Sequence, residues 1–391
     1  MITVDQALQH IFDLISPVDT ETVSLRHAAG RVLREDIVAR RDQPPFAASV
    51  MDGYAVRTAD ASPGATLKVI GESAAGHAFD GHLNAGEAVR IFTGAPIPTG
   101  ADRVVIQEDV TRDGTSITIS ETAETQRYIR DLGTDFKVGD RIDAGRKLTP
   151  ADIALAASMN VPTLSVARKP VVALIATGDE LVMPGEDPGP DQIIASNSFG
   201  LAAILEAEGA DVRLLPIARD TEAALRGVLE LATGADLVVT IGGASVGDHD
   251  LVGKVVGDLG MDRSFYKVAM RPGKPLMAGR LGSSAMVGLP GNPVSSMVCG
   301  HIFLRPALRA LMGLRAEPLP RTEAKLAADL PPNGPREHYM RATWTTDGEV
   351  QAAERQDSSL LSVLASASCL IVRAPGDPAR TRGEIVSVVP L

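Results

Sequence analysis

Between Lys169 and about Gly313 the chain alternates short apolar runs with amphipathic stretches, and this alternation limits the fold more than anything else in it. PVVALIAT reads as a strand, Asn197 to Glu208 as a helix stopped by Gly209, and DVRLLPIA as a second strand. Thr221 to Ala232 reads as a helix, followed by the strand LVVTIGG. AMVGLPG is a further strand, entering a helix capped by Asn292 with Pro293 behind it. A βαβα pattern specifies a parallel, doubly wound sheet with right-handed crossovers. Ligands of such sheets sit at the carboxyl ends of the strands. Here those ends carry TGDE, RD, GGASVGD and LPGNP.

The flanks have a different texture. Residues 3–15 form a helix in which Thr3 and Gln6 make a capping-box pattern and Val4, Ala7, Leu8, Ile11, Leu14 and Ile15 an apolar stripe. From Gln43 to about Asp135, short alternating runs (LKVIG, EAVRIFTGAPIP, RVVIQED, SITIS) are split by Gly and Pro, which marks a small β domain. Helix returns over 148–160, with Thr149 as N-cap, Pro150 in the first turn and Asn160 as the stop. The two helical pieces flanking the insert are expected to pack together as one discontinuous unit. After about Pro318 alternation resumes, with an Asp347-Gly348 hairpin signal, so a second small β domain ends the chain.

A chain of 391 residues holds two to four such domains. Its formal charge of -11 argues against non-specific nucleic-acid binding, so an anionic ligand must be met by a local cluster of Lys and Arg. Cys299 and Cys369 have no CxxC spacing, which excludes a disulfide framework or a thiolate zinc site and fits a reducing cytoplasm. The start MITVDQALQHIF lacks the features of a signal peptide, and no apolar run suits a membrane helix. The expectation is a cytoplasmic protein.

In Leu237–Asp250, an apolar strand feeds a turn holding Gly242, Gly243 and Gly247 and closes on Asp248 and Asp250. Glycines leave N–H groups open to an anion, and adjacent carboxylates suit the divalent cation that a phosphorylated ligand brings. The turn is neither a P-loop nor GxGxxG, but its GASVG matches the GxSxG nucleophile elbow, with Ser245 as nucleophile and His301 or His338 as bases. Asp179-Glu180 alone suits a helix N-terminus. At the same sheet edge as Asp220, Asp248 and Asp250 it reads as part of an acidic metal or proton-handling group. YKVAMRPGKP concentrates Lys267, Arg271 and Lys274, which suits a pyrophosphate or oxyanion. Leu289–Ser295 is a tight turn before a helix and has N–H groups for an anion. Met51–Ala55 is by default a hairpin turn, and Arg90–Pro96 a strand end. The seven histidines show no zinc spacing.

Read in order, these motifs resemble the molybdopterin molybdenumtransferase family (MoeA, and the equivalent domain of gephyrin). The matching stretches are PPFAASVMDGYAV, RIFTGAPIP, RDLGTDF, ATGDEL, TIGGASVGDHD, RPGKP, LPGNPVSS and SSLLSVLASASCLIV, in one order over nearly the whole chain. The resemblance implies an α/β multidomain chain. A discontinuous helical linker domain takes residues 1–42 and 137–168, and a β insert domain takes 43–136. A doubly wound α/β/α molybdopterin-binding domain takes 169–317, and a small C-terminal β-barrel takes 318–391. It implies a homodimer with the active site shared between subunits, and transient contacts with molybdopterin adenylyltransferase and apo-molybdoenzymes. The implied chemistry is Mg(2+)-assisted hydrolysis of adenylyl-molybdopterin with insertion of molybdate, releasing AMP.

Carried over by motif, Asp52 and Thr93 face the cleft from the insert, with Asp135 below. Glu180, Asp220 and Asp250 place metal and water, and Lys267, Arg271 and Lys274 hold phosphate or molybdate. The loop Gly242, Gly243, Ser245 and Gly247, with Pro290, Asn292 and Ser295, binds the pterin phosphate. Arg341 and Ser362 close the oxyanion site from the C-terminal domain. Arg271 stands where many members carry Lys, and GTDF replaces the commoner GED, which makes Asp135 a structural candidate as much as a functional one. Three other readings compete with molybdenum insertion: the adenylyltransferase step, a serine hydrolase on Ser245, and a binding scaffold.

Overall fold

Leu237–Ile241 is apolar on both faces and fully buried, so it belongs inside a covered sheet. In the computed structural model, which describes residues 1–243 and 251–391, it lies third in a six-stranded sheet. The order is Asp211–Leu214, Val171–Ala176, Leu237–Ile241, Ser284–Leu289, Met277–Leu281, Asp262–Tyr266. Val172, Leu174, Val239 and Ile241 face one apolar cluster, which holds Leu201 and Leu205 of helix Asn197–Glu208 and Val294 and Val298 of helix Pro293–Cys299. Ala173, Ile175 and Val238 face the other, against helices Glu222–Leu231 and Leu251–Asp258. This is the expected doubly wound, three-layered architecture.

One feature of the sheet departs from expectation. Its first four strands are parallel, but Met277–Leu281 runs antiparallel to both its neighbours, Ser284–Leu289 and Asp262–Tyr266. No helix separates these two strands from each other or from Ser284–Leu289, and without a crossover successive strands must reverse. The strand expected over 211–218 stops at Leu214, short of Pro216, which has no N–H to give a ladder.

The chain divides into two compact units, each described by itself. The first comprises Met1–Glu21, Gly30–Arg34 and Ser165–Leu391. Helix Val4–Asp13 carries the expected reciprocal capping box and buries Val4, Ala7, Leu8 and Ile11. These side chains join the cluster holding Phe265, Val268 and Leu276 of the α/β domain. Helix Pro150–Ser158, the other piece of the expected discontinuous unit, falls in the second unit.

The C-terminal strands of the first unit form a small barrel. Glu337–Trp344 pairs with Val350–Ala352 and Cys369–Arg373, the latter with Ile385–Pro390, and that strand with Thr322–Lys325. A bridge between Leu326 and Val350 closes the ring. Met340, Ala342, Cys369, Ile371 and Val388 fill its interior. Leu370, Val372 and Val389, on the other face, pack into the α/β core.

The second unit contains a mixed sheet ordered Arg103–Ile106, Gly53–Val56, Glu87–Ile91, Thr66–Ser73, Ser116–Ile119, Val110–Asp113. Gly53–Val56 is an interior strand, so the hairpin-turn reading of Met51–Ala55 is corrected. Tyr54 and Val56 bury on one face and Ala55 on the other, as an interior strand requires.

Candidate active site

The chain leaves strand Val171–Ala176 toward one edge of the sheet and then crosses to Leu237–Ile241 on its other side. The crevice therefore opens at the carboxyl ends of those two strands. A cleft of about 770 Å³ lies there, and Ala176–Gly178, Ile241–Gly243 and Pro290–Pro293 line it from three successive strand ends. Glu180 and Asp220 add carboxylates, Ile193 and Ile194 an apolar ledge, and Ser196–Ser198 the start of a helix.

Backbone geometry explains the glycines here. Gly178 sits at φ 145°, and a Cβ on it would collide with the Glu180 carboxylate. Gly243 sits at φ 63°, and a Cβ there would strike a Val252 methyl. Both positions need a residue without a side chain. Asp179 and Asp220 hold each other's backbones: the Asp220 N–H donates to Asp179 Oδ1 at 3.0 Å and the Asp179 N–H to Asp220 Oδ2 at 3.4 Å. The Glu180 side chain accepts no hydrogen bond among the described residues. Lys254 also lines the cleft, ion-paired with Glu222.

On the far wall Asn292 stands at the N-cap position, but its side chain makes no cap bond and donates to Ser358 Oγ at 3.3 Å. The capping expected of it is corrected: the helix opens instead with the Val294 N–H donating to the Ser358 carbonyl at 3.1 Å. Asn197 donates to the Gly291 carbonyl at 2.7 Å and ties the helix to the Pro290–Pro293 turn.

Glu180, Asp220, Gly242, Gly243, Pro290 and Asn292 are thus brought together from the expected set. Ser245, Gly247, Asp248 and Asp250, with the GASVG elbow, lie outside the described residues. Ser295 is buried in its helix and does not line the cleft. Of the cationic segment only Pro275 lines it. Lys267 adopts a left-handed φ of 72° and places its ammonium 5.2 Å from the Tyr266 ring centre. Arg271 pairs in register with His338 of the barrel, and Lys274 is exposed. Arg341 is 1% exposed, and its guanidinium donates to Gln356 Oε1 and to the Asp357 carbonyl at 2.8 Å. Ser362 is exposed on the short helix Leu361–Ala365.

In the second unit Asp52 and Thr93 meet at one end of the sheet, where Gly53 pairs with Ile91. Asp52 Oδ1 accepts both the Thr93 N–H and its hydroxyl at 2.8 Å. These bonds, helped by Arg90, hold the Asp52 carboxyl below its usual range. Asp135 is exposed, and its N–H donates to the Gln43 carbonyl.

Neither histidine offered as a base reaches the cleft. Burial, with Arg305 beside it, pulls His301 down to about 4. Burial and the guanidiniums of Arg271, Arg341, Arg373 and Arg336 do the same to His338. Sequence reasoning missed Ile193, Ile194 and Asn197, which line the cleft, and Arg219, which holds the loop carrying Glu180. Of these only Arg219 had a signal, its place beside Asp220 at a strand end.

A cleft at the switch point of a doubly wound domain, with carboxylates on one wall and glycine turns on two, defines a class of proteins that bind phosphorylated ligands. Three family models match the chain: the MoeA N-terminal region (domain I and II) over residues 2–160, a "Probable molybdopterin binding domain" over 173–310, and the MoeA C-terminal region (domain IV) over 323–391. A molybdopterin molybdenumtransferase of Haemophilus influenzae is 36% identical over 403 residues, covering 100% of this chain and 98% of the relative. Molybdopterin molybdenumtransferase 2 of Mycobacterium tuberculosis is 39% identical over 366 residues, covering 90% of each. The crystal structure of the molybdopterin biosynthesis MoeA protein of Pyrococcus horikoshii OT3 superposes with a TM-score of 0.87 at 28% identity, covering 100% of both chains. The chain belongs to the molybdopterin molybdenumtransferase (MoeA) family, which acts in molybdenum cofactor biosynthesis by molybdenum transfer.

Proposed function

We propose that the chain inserts molybdate into adenylyl-molybdopterin, with hydrolysis of the pyrophosphate and release of AMP. The observation that carries this is the convergence of Glu180 and Asp220 with the Gly242–Gly243 and Pro290–Asn292 turns around one cleft. The glycine turns let a phosphate approach the backbone, and the Ile193–Ile194 ledge receives the flat part of the ligand. Lys267, Arg271 and Lys274, beside Pro275 but outside the cleft lining, belong to this reading as the positive charge that an anionic substrate and molybdate need in a chain of net charge -11. At an effective dielectric of 20, two like charges ~4 Å apart repel by about 4 kcal/mol, and nearby cations offset that repulsion.

The donor set fits Mg(2+). It takes hard oxygen ligands, keeps several waters and needs only one or two carboxylates plus substrate phosphate. Glu180 and Asp220 supply these, and among the described residues no group of three or more His, Cys, Asp and Glu does so. When bound, the ion neutralises charge developing on the leaving phosphate. Asp250 belongs to this reading as a third acid, and Ser245 and Gly247 as part of the phosphate loop. Arg341 and Ser362 belong to the oxyanion side.

The remaining parts of the reading are a cytoplasmic homodimer and handover contacts with the adenylyltransferase and apo-molybdoenzymes. Asp52 and Thr93 of one subunit complete the cleft of the other. No helix among the described residues is long and apolar enough to cross a membrane.

Purified protein given adenylyl-molybdopterin, Mg(2+) and molybdate is expected to release AMP and form molybdenum cofactor; folded protein that does neither refutes the reading. Mixing Asp52→Ala chains with Asp220→Ala chains tests the shared site. Hybrid dimers are expected to regain activity that each variant lacks, and an inactive mixture of exchanged dimers rejects sharing.

A further inference from the structure

We propose that Arg219 is the positioning residue that aims the Glu180–Asp220 acidic pair, by stapling the backbone on both sides of Glu180. The inference rests on the reading that these two carboxylates meet a divalent cation. Arg219 Nη1 donates to the carbonyls of Asp179 and Leu181, each at 3.0 Å, and to that of Gly178 at 3.5 Å. One guanidinium therefore grips the residue before Glu180 and the residue after it.

Among the described residues the two strand ends are otherwise zipped only nearer the sheet and through Asp179. The Ala218 N–H donates to the Ala176 carbonyl at 2.9 Å, and the Gly178 N–H to the Ala218 carbonyl at 3.1 Å. Asp179 then exchanges bonds with Asp220. Beyond that point Glu180 has its carbonyl bonded to the Ile193 N–H at 2.7 Å, but among the described residues its side chain has no hydrogen-bond partner to orient it. A carboxylate without hydrogen bonds of its own is aimed by its backbone, and Arg219 holds that backbone. Arg219 does not line the cleft, so it acts through Glu180 and Asp220 and not on substrate.

Two effects of opposite sign make the proposal decidable. A guanidinium close to a cation site repels the cation, so by charge alone its removal tightens metal binding. As a staple, its removal loosens binding, and groups supporting metal ligands typically contribute about 10–100-fold in affinity. Arg219→Ala removes charge and staple together, Arg219→Gln removes the charge but keeps an amide donor on a shorter stem, and Arg219→Lys keeps the charge on a flexible stem in place of the planar group whose Nη1 makes all three bonds.

The test is the Mg²⁺ half-saturation of AMP release by the full chain, with Mn²⁺ binding followed by electron paramagnetic resonance in the absence of substrate. The expected result is a half-saturation raised about 10-fold or more in Arg219→Ala. Arg219→Gln and Arg219→Lys are expected to be intermediate, and the rate at saturating Mg²⁺ to stay within a few-fold of the parent. Unchanged or tighter metal binding in Arg219→Ala overturns the proposal. If that variant does not fold, parental metal binding in Arg219→Lys and Arg219→Gln overturns it equally. Glu180→Gln and Asp220→Asn separate the two levels. If they leave the Mg²⁺ dependence unchanged, the acidic-pair reading itself fails and the role of Arg219 falls with it.

Discussion

Gly178→Ala tests how the cleft is built, because it separates strain from function. The backbone at φ 145° lies where a side chain is rarely tolerated, at a cost of about 1–3 kcal/mol. The atoms the new methyl meets belong to the far end of the Glu180 side chain, which can swing away. The strain should therefore stay with the backbone, while Glu180 is pushed from its place in the cleft. The expected loss of melting temperature is about 2–4 °C per kcal/mol for a domain of this size, read by calorimetry. Mg²⁺ half-saturation should rise about 10–100-fold, close to the effect of Glu180→Ala. A double-mutant cycle sharpens the test. In the Glu180→Ala background the melting penalty of Gly178→Ala should be undiminished, whereas the metal dependence should worsen no further. A Gly178→Ala protein with parental metal dependence, or a double variant whose defects multiply, refutes the reasoning.

Asp236 is held by a two-pronged Arg168 contact at 2.7 and 2.6 Å and by the Val171 N–H at 2.8 Å. Burial works to raise its carboxyl, but these bonds outweigh that and hold it below the usual range. Asp236→Asn should cost about 1–2 kcal/mol after allowance for partial exposure, measured by urea unfolding at pH 7. Because this pKa is depressed, the contribution is present above the unfolded carboxyl value and vanishes as pH falls through the folded one, so the variant's deficit should shrink in acid. His301 and His338 titrate near 4 when folded and near 6.5 when unfolded, so between those values the unfolded chain binds more protons. Unfolding free energy should fall as pH drops from about 6.5 to 4, and a His301→Gln, His338→Gln protein should show a flatter profile. Cys299 and Cys369 are both fully buried, and burial pushes both thiols up. Neither should react with a thiol reagent until the chain unfolds, and rapid labelling of the native protein would contradict the packing.

Local chemistry made most of the elements legible. Thr3 and Thr149 cap their helices as their spacing requires, Gly209 ends one at φ 118°, and strand Leu237–Ile241 announces itself by an apolar run broken only by Thr240. Pairing direction was less legible, because apolar runs look alike whichever way they run. Only the missing crossover before Met277–Leu281 distinguishes the antiparallel edge. The same limit hid Gly53–Val56, whose four residues resemble a turn until neighbours cover both faces.

Strand ends rich in Gly and Asp single out, from sequence, the edge proposed to bind an anion and a metal and the residue types that furnish it. That information is local, since backbone N–H access and carboxylate charge are properties of a few consecutive residues. Tertiary structure decided which of those residues share a space. It gathered Glu180, Asp220, Gly242 and Asn292 around one cleft, buried Arg341 and Ser295, and turned Arg219 onto the loop that carries Glu180. Distances between residues dozens of positions apart depend on how sheets and helices bury apolar faces, and no short stretch of sequence contains that sum.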